Sequence, residues 1–550
     1  MAFGILEPKT ASHVPGTVLL DQQAAHSEAT TGRLKHGKGR NSNIVLAPQP
    51  SEDPNDPLNW SQMRKYFVIS IIFFGVIIVA GVPGPILNPG IVQVAMSLNK
   101  DFTTVAQMSG YTLLATGAMG PFVSALGRKY GKRPVYVFSS VIGTVGVIVS
   151  ETASGYNTLL AGRILQGVGI PAYESLAISS IGDLFFVHER GALVAIVIFL
   201  LAAISNGVLP FAALQTILVI LFVEETSYNR RAIYEIDTAG SEENLEKLAE
   251  VEGRAAQHLE KRNAATADRD VEQDFGPTIT HTSTVETIPP RKTFVQRLAL
   301  YNGTYTEDSV FKMALASVAI LLNAGAAYQV FSTGFIIAWY VAVAIISGVI
   351  FASPPYLLGS AAIGYLSAGP LIGGLLGSAV PFFVTEPFIK ALTRRNNGYY
   401  EPEFCLIPTT ISGVITVAGL VGWGFTVHNG QSIYLAAFLW GLMLFGMAWF
   451  ATSATSWALD AYRQNSTEVF IMNMVFKNFF YYGLTNYVID WYLGYGAIQM
   501  VGIMSGVVAF WVLMAIPLYV FGKRYRLWWH KHNALKALKL ETQDNGGMAH

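Results

Sequence analysis

The stretch Leu406-Ile-Pro-Thr-Thr-Ile-Ser-Gly-Val-Ile-Thr-Val-Ala-Gly-Leu-Val-Gly-Trp-Gly-Phe-Thr-Val427 carries no charged residue. At 1.5 Å rise per residue, a helix of about 20 such residues crosses a hydrocarbon core about 30 Å thick. Further apolar runs of this kind start near Tyr66, Gln107, Pro134, Thr158, Gly191, Val310, Ala361, Ser432, Val469 and Val501. A soluble domain has no use for so many. The chain therefore reads as an all-α, multi-pass membrane protein, and its function concerns something in or across a bilayer.

Composition supports this reading. Of the 550 residues 52% are hydrophobic and only 13% charged, well below the roughly 25% charged of soluble domains. Lys+Arg and Asp+Glu both number 36, so net charge identifies no partner and gives no reason to expect nucleic acid. The single cysteine, Cys405, excludes an intramolecular disulfide framework. The first apolar run follows about 64 polar residues, which predicts an uncleaved anchor from Tyr66 to Val82 and no cleavable signal peptide.

The runs divide the chain. Residues 1–64 read as a polar tail, disordered up to Pro50. Residues 65–222 and 310–522 read as two transmembrane bundles. Residues 223–309 form a polar central loop that tethers the bundles, and residues 523–550 form a C-terminal tail. Basic residues set the expected orientation. They collect at Arg128, Lys129, Lys132 and Arg133, at Lys390, Arg394 and Arg395, and at Lys523, Arg524, Arg526 and Lys531. The connections between these points are nearly uncharged, so the basic loops, the central loop and both termini are expected in the cytoplasm.

Parity raises a difficulty. Both halves obey that rule only if Gly191 to Phe222 crosses twice, yet the region is too short for two comfortable spans and too long for one. Asn206, Gly207 and Pro210 mark where a break would fall. The reading is of shortened fifth and sixth spans. A faint repeat supports two bundles: Gly110-Tyr111 opens the second span and Gly364-Tyr365 the eighth, each before a basic loop.

At Ala161-Gly162-Arg163-Ile-Leu-Gln166-Gly167-Val-Gly169 the chain resembles the R-x-x-Q-G-x-G motif of the major facilitator superfamily, within it the fungal twelve-spanner drug:proton antiporter group. Asp183-Leu-Phe-Phe-Val-His188-Glu189-Arg190-Gly191, Glu224-Glu225-Thr226 and Asp53-Pro54-Asn-Asp56-Pro57-Leu-Asn-Trp60 resemble other segments of the fungal members. The resemblance implies two six-helix bundles around a central cavity, alternating access, and a proton-coupling role for Arg163. The family's gating loop corresponds to Arg128, Lys129, Gly131, Lys132 and Arg133. There the sequence departs from the pattern: Arg128 stands where the family has an aspartate. That loop is similar to the loop of fungal polyamine and organic-cation permeases.

Ionisable groups inside spans cost about 2.5–3.5 kcal/mol each on insertion scales and mark function. Arg163 and Glu174 stand about three turns, ~16 Å, apart on one helix face. Together they are the candidate proton-coupling pair, with Gln166 on the same stripe. The plainer alternative for Arg163 is pairing with helix-end carbonyls or a loop acid. Lys477, beside Asn478, falls well inside the eleventh span, where it needs a cavity or an acidic partner. Asp460, Arg463 and Glu468 read as a loop charge network. Tyr111, Tyr328, Trp339, Tyr340 and Tyr365 could line a pocket for a drug-like or cationic ligand, or simply pack. Gly369-Pro-Leu-Ile-Gly373-Gly374-Leu-Leu-Gly377 reads as a close-packing stripe.

No G-x-x-x-x-G-K-[ST] loop and no H-E-x-x-H pair occurs, so neither cofactor nor metal is expected, and an ion gradient must supply energy. The expectation is a non-enzymatic, monomeric secondary transporter in the plasma membrane. It would exchange protons for a small organic molecule, a drug or secondary metabolite, as in multidrug resistance. Two alternatives stand beside it: a proton-coupled importer of a polyamine or organic cation, and a membrane protein that no longer transports because of its shortened region.

Overall fold

A computed structural model describes residues 3–7, 14, 17–19, 50–51, 53–81, 83, 91–185, 209–228, 292–301, 303–306, 308–396, 399–462, 465–538 and 540. The proposed break near Asn206 and Gly207, most of the short region from Gly191, and Arg463 lie outside these residues.

The apolar runs form helices. In the first half these are α1 (Gln62–Gly75, continued by a wide π turn Val76–Gly81), α2 (Phe102–Tyr130), α3 (Lys132–Glu151) and α4 (Tyr156–Pro171). Helix α4 runs on through a second π turn, Ala172–Leu176, into Ala177–Leu184. Helix α5 (Leu209–Phe222) closes the half. The second half contains a short helix α6 (Val310–Ala319), then α7 (Ala324–Ala352), α8 (Ser360–Arg395, interrupted near Ser367 and Pro381), α9 (Leu406–His428), α10 (Ile433–Ala461), α11 (Ser466–Thr485) and α12 (Val488–Lys531, broken at Gly496). Among the described residues seven helices are long and apolar enough to cross a membrane. Helices α2, α4 and α11 are not among the seven. They meet across the two halves, α2 and the turn that continues α4 both reaching α11, and they carry Gln107, Arg163, Glu174 and Lys477.

The run expected as one span from Val310 is divided. Asn323 adopts an extended backbone, and its side-chain oxygen accepts from the Gly325 and Ala326 amides at 2.9 and 3.2 Å. It thereby caps α7 and ends the helix before it. Helix α6 packs instead along α2 and α11.

Small residues set the closest helix approaches, as the Gly369–Gly377 stripe predicts. Gly369, Gly373 and Gly377 of α8 lie against the main chain of Ala437, Gly441 and Phe445 of α10, four residues apart on both helices. A Cβ at Gly373 would collide with the Gly441 carbonyl. A second seam joins the halves: Gly110, Gly117 and Gly120 of α2 lie against Thr485, Asn478 with Phe479, and Met474 of α11. Beside it Val105, Ala106 and Met108 of α2 share one apolar core with α7, α9, α10, α11 and α12.

Each half has a charged collar at the end that carries its basic loop. In the first, Glu225 accepts from the Lys132 and Arg133 amides at 2.9 and 3.1 Å, an acid at the N-terminus of α3. Glu224 takes Arg64 through two bonds and Arg297 at 3.5 Å. In the second, Arg526 holds Glu403 through two bonds of 2.9 and 2.8 Å and Glu401 at 3.2 Å, and Lys523 pairs with Glu401. The end of the central loop lies on the first half: the Tyr305 amide donates to the Lys129 carbonyl at 2.8 Å, and the Lys292 amide donates to Asn55 at 2.9 Å.

The N-terminal tail differs from the expectation of disorder at residues 3–7, 14 and 17–19. Strand β1 (Val18–Leu19) pairs antiparallel with β2 (Tyr399–Tyr400), before α9, and Ile5 is fully buried against Phe404. The sequence of this segment carries too short an apolar pattern to announce a docking of such long range.

Candidate functional site

The site is built on a helix defect. Pro171 has no amide hydrogen and cannot continue the α-helical ladder. Directly after it α4 widens into the π turn Ala172–Leu176, a feature frequent at functional sites. Glu174 sits in that turn. Its carboxylate forms an ion pair with the ammonium of Lys477, midway along α11, with side-chain exposures of 13% and 21%. The two residues singled out from different halves of the sequence thus meet across the seam. A largely desolvated ion pair is stabilised mainly by its own partner, so either charge alone is costly there.

Arg163 is 3% exposed and lies apart from this pair. Its Nη1 donates to Gln166 Oε1 at 3.0 Å and its Nη2 to the Pro83 carbonyl, while its Nε has no hydrogen-bond partner. Gln166 passes the chain on to Ser150 Oγ at 3.1 Å. The bond to Pro83, just beyond α1, follows the helix-end-carbonyl alternative. A small crevice beside this network is lined by Ile78, Val79, Pro83, Val147, Gln166 and Ala212. Gly167 lets α4 touch α2, where Thr116 Oγ1 donates to its carbonyl at 3.0 Å.

Polar and aromatic contacts close the α2–α11 seam at both ends. Away from the basic loop, Thr103 approaches Asp490 at 3.3 Å, Gln107 donates to Asn486 at 3.2 Å, and the Tyr111 and Tyr482 rings lie 5.2 Å apart. At the basic end Arg128 Nη1 pairs with Glu468 Oε1 at 2.8 Å. The rest of the gating loop is held by its own half and by the end of the central loop. Lys129 Nζ donates to the Asp308 carbonyl at 3.1 Å, and Lys132 Nζ pairs with Asp183 at 2.5 Å. Arg133 donates to the Val223 and Ile220 carbonyls at 2.8 and 2.9 Å. Gly131 has φ +96°, and the Glu225 carboxylate and Tyr305 ring crowd the place of a Cβ. Burial, with the negative charges of Glu225 and Asp183 beside it, pushes the Tyr305 phenol well above its ordinary range.

The aromatic candidates separate. Trp339 of α7 belongs to a ring cluster in which Phe335 meets Phe480 at 4.7 Å, Phe476 at 5.1 Å and Trp511 at 6.2 Å. Tyr328 packs edge-on to Trp457 and Trp511. Tyr340 is half-buried beside the large core, whereas Tyr365 is 81% exposed on the outside of α8. Asn478 is buried at the seam, its Nδ2 without a partner. Asp460 accepts from Tyr400 at 2.5 Å and Glu468 pairs with Arg128, while Arg463, the third member of the expected loop network, lies outside the described residues. The reading of single residues missed the glycine seam itself. Its signal was the spacing Gly110, Gly117, Gly120, which places three small residues on one face of α2.

The sequence profile of the Major Facilitator Superfamily matches residues 66–226. Over nearly its whole length the chain is similar to an MFS-type transporter of Schizosaccharomyces pombe, 24% identical across 94% of this chain and 93% of the relative. It is similar to Protein HOL1 of Saccharomyces cerevisiae, 23% identical across 94% and 96%. The MFS antiporter QDR3 of Candida albicans is 28% identical over 31% of this chain and 24% of its own. Among solved structures, the human organic anion transporter MFSD10 superposes with a TM-score of 0.49 at 13% identity, covering 82% of this chain and 99% of that one.

Proposed function

We propose, from the chain's place in the major facilitator superfamily, that this multi-pass membrane transporter couples proton movement to the movement of a small organic molecule, with Glu174 as the proton carrier. The observation that carries the reading is the ion pair of Glu174 with Lys477, which links the two halves midway along the seam. Protonating Glu174 removes the charge that holds Lys477 and lets α4 and α11 part. Releasing the proton restores the attraction and closes them. Arg163, held by Gln166 and the Pro83 carbonyl, contributes a fixed positive charge in the same helix.

Export is the favoured direction. Relatives over part of the chain are named an MFS antiporter and a citrate exporter, and the rings around Phe335 and Trp339 suit a flat apolar substrate. One observation favours the second reading, import of a polyamine or organic cation: Glu174 already holds an ammonium, that of Lys477, and a substrate ammonium has the same chemistry. The basic loops and both termini lie in the cytoplasm in either reading, and the plasma membrane is the proposed location.

Glu174→Gln tests the coupling. Transport driven by a pH gradient should be lost while exchange of substrate across equal pH persists, and unchanged proton dependence removes Glu174 from the mechanism. Lower substrate retention in expressing cells than in control cells supports export, and higher retention supports import. No transport of any candidate by a folded protein returns the reading to a membrane protein that does not transport.

A further inference from the structure

The N-terminal segment meets the second half through three kinds of contact. Ile5 is fully buried in a socket of Tyr400, Phe404 and Tyr519. Its main chain is bound as well: the Leu6 amide donates to the Val520 carbonyl at 3.0 Å, Tyr519 Oη donates to the Phe3 carbonyl at 3.0 Å, and Val18 and Leu19 pair with Tyr400 and Tyr399. Charge completes the contact: the Glu7 carboxylate lies 2.8 Å from Lys523 Nζ, and Thr17 Oγ1 donates to the buried Glu401 at 2.7 Å.

We infer that the face formed by β2, Phe404 and the Tyr519–Arg524 turn of α12 is a peptide-binding surface, occupied here by the chain's own N-terminus. Added strands and an apolar anchor beside a charge are the ordinary means by which proteins take up extended peptides. The surface selects a buried aliphatic residue followed two positions later by an acid, Ile5 and Glu7. From Leu19 to Pro50 the chain has about 30 residues, up to ~100 Å when extended, so docking does not pull the two halves together. Such a tether presents the segment at an effective concentration on the order of millimolar. A contact of modest affinity is therefore filled in the intact protein and yet can be displaced. Displacement would uncover Glu401, Lys523 and the Phe404 socket together, which makes the segment a removable cover of the second collar.

The test uses purified protein lacking residues 2–20 and a fluorescent peptide of residues 1–20. Saturable binding with Kd on the order of 1–100 μM is expected, weakened at least about tenfold by Ile5→Asp in the peptide. No saturable binding up to millimolar peptide, or equal binding of the Ile5→Asp peptide, overturns the inference. If the shortened protein does not fold, the full chain carrying Ile5→Asp takes its place. In the intact protein, Leu6→Cys with Val520→Cys in a Cys405→Ser background should form a disulfide under mild oxidation. Failure to form it shows that the surface is not occupied in cis and also overturns the inference.

Discussion

Arg128 Nη1 lies 2.8 Å from Glu468 Oε1, and this ion pair joins the last turn of α2 to the first turn of α11. Arg128 stands where the related pattern carries an acid, so this end of the seam is held by a cation facing an acid of the other half. Arg128→Glu should loosen the seam, and Arg128→Glu with Glu468→Arg should restore it. A coupling energy of about 1–3 kcal/mol is expected from thermal unfolding of the two single variants and the double variant. Additive effects would mean that the pair does not hold the halves.

The Glu174–Lys477 pair predicts a different pattern. Glu174→Gln and Lys477→Met should each lower stability by about 2–4 kcal/mol, below the fully buried range because water reaches part of both side chains. The double variant should be close to the parent in stability while remaining uncoupled from the pH gradient. Unfolding curves and gradient-driven transport, read on the same preparations, separate the structural role from the functional one.

Gly117 faces Phe479 and Asn478 across the seam, where a Cβ would stand 3.0 Å from the ring. Gly117→Leu should force α2 and α11 apart, costing about 1–3 kcal/mol as overpacking does. Cysteines placed at Gln107 and Asn486, on neighbouring side chains in the parent, should then cross-link more slowly than they do without the leucine.

Gly131→Ala meets two obstacles, the φ of +96° and the Glu225 carboxylate that caps α3. The backbone cost alone, at φ +96° and ψ +162°, is about 1–3 kcal/mol, and displacement of the cap adds to it. A lowered unfolding temperature is expected, and Glu225→Gln should account for part of it. An unchanged temperature would mean that the loop relaxes without loss.

Arg163→Lys keeps the charge but loses the planar fork that reaches Gln166 and the Pro83 carbonyl together. A fall in transport of about tenfold, the equivalent of one charge-assisted bond, is expected. Full activity would leave Arg163 with a role of charge alone.

Spans were legible because their signal is local. A charge-free run such as Leu406 to Val427 reads the same in the sequence as in the fold. Helices α2, α4 and α11 were legible as apolar runs as well, and Arg163, Glu174 and Lys477 stood out on α4 and α11 because charges are costly in lipid and had to face protein or water. Which of them meet was not legible. That Glu174 meets Lys477 of the other half depends on how α4 and α11 pack, which helical periodicity does not foresee. The docking of Ile5 on Phe404 joins residues from opposite ends of the chain, and no local pattern encodes such a contact. Residues 191–208, where the short region raises the question of one crossing or two, lie outside the described part of the fold.

The two collars have opposite polarity. The first half sets Arg133, at the start of α3, near the acids after its last helix, Glu224 and Glu225, and Glu225 also accepts from the Lys132 and Arg133 amides. The second half sets acids before α9, Glu401 and Glu403, against bases on its last helix, Lys523 and Arg526. Two halves of similar design emerging from one ribosome could exchange partners while they fold. Here an exchange would bring Arg133 toward Lys523 and Arg526, and Glu225 toward Glu403, like charges in surroundings that screen them poorly. Each half can thus recognise its own closing helix by the sign of its charge.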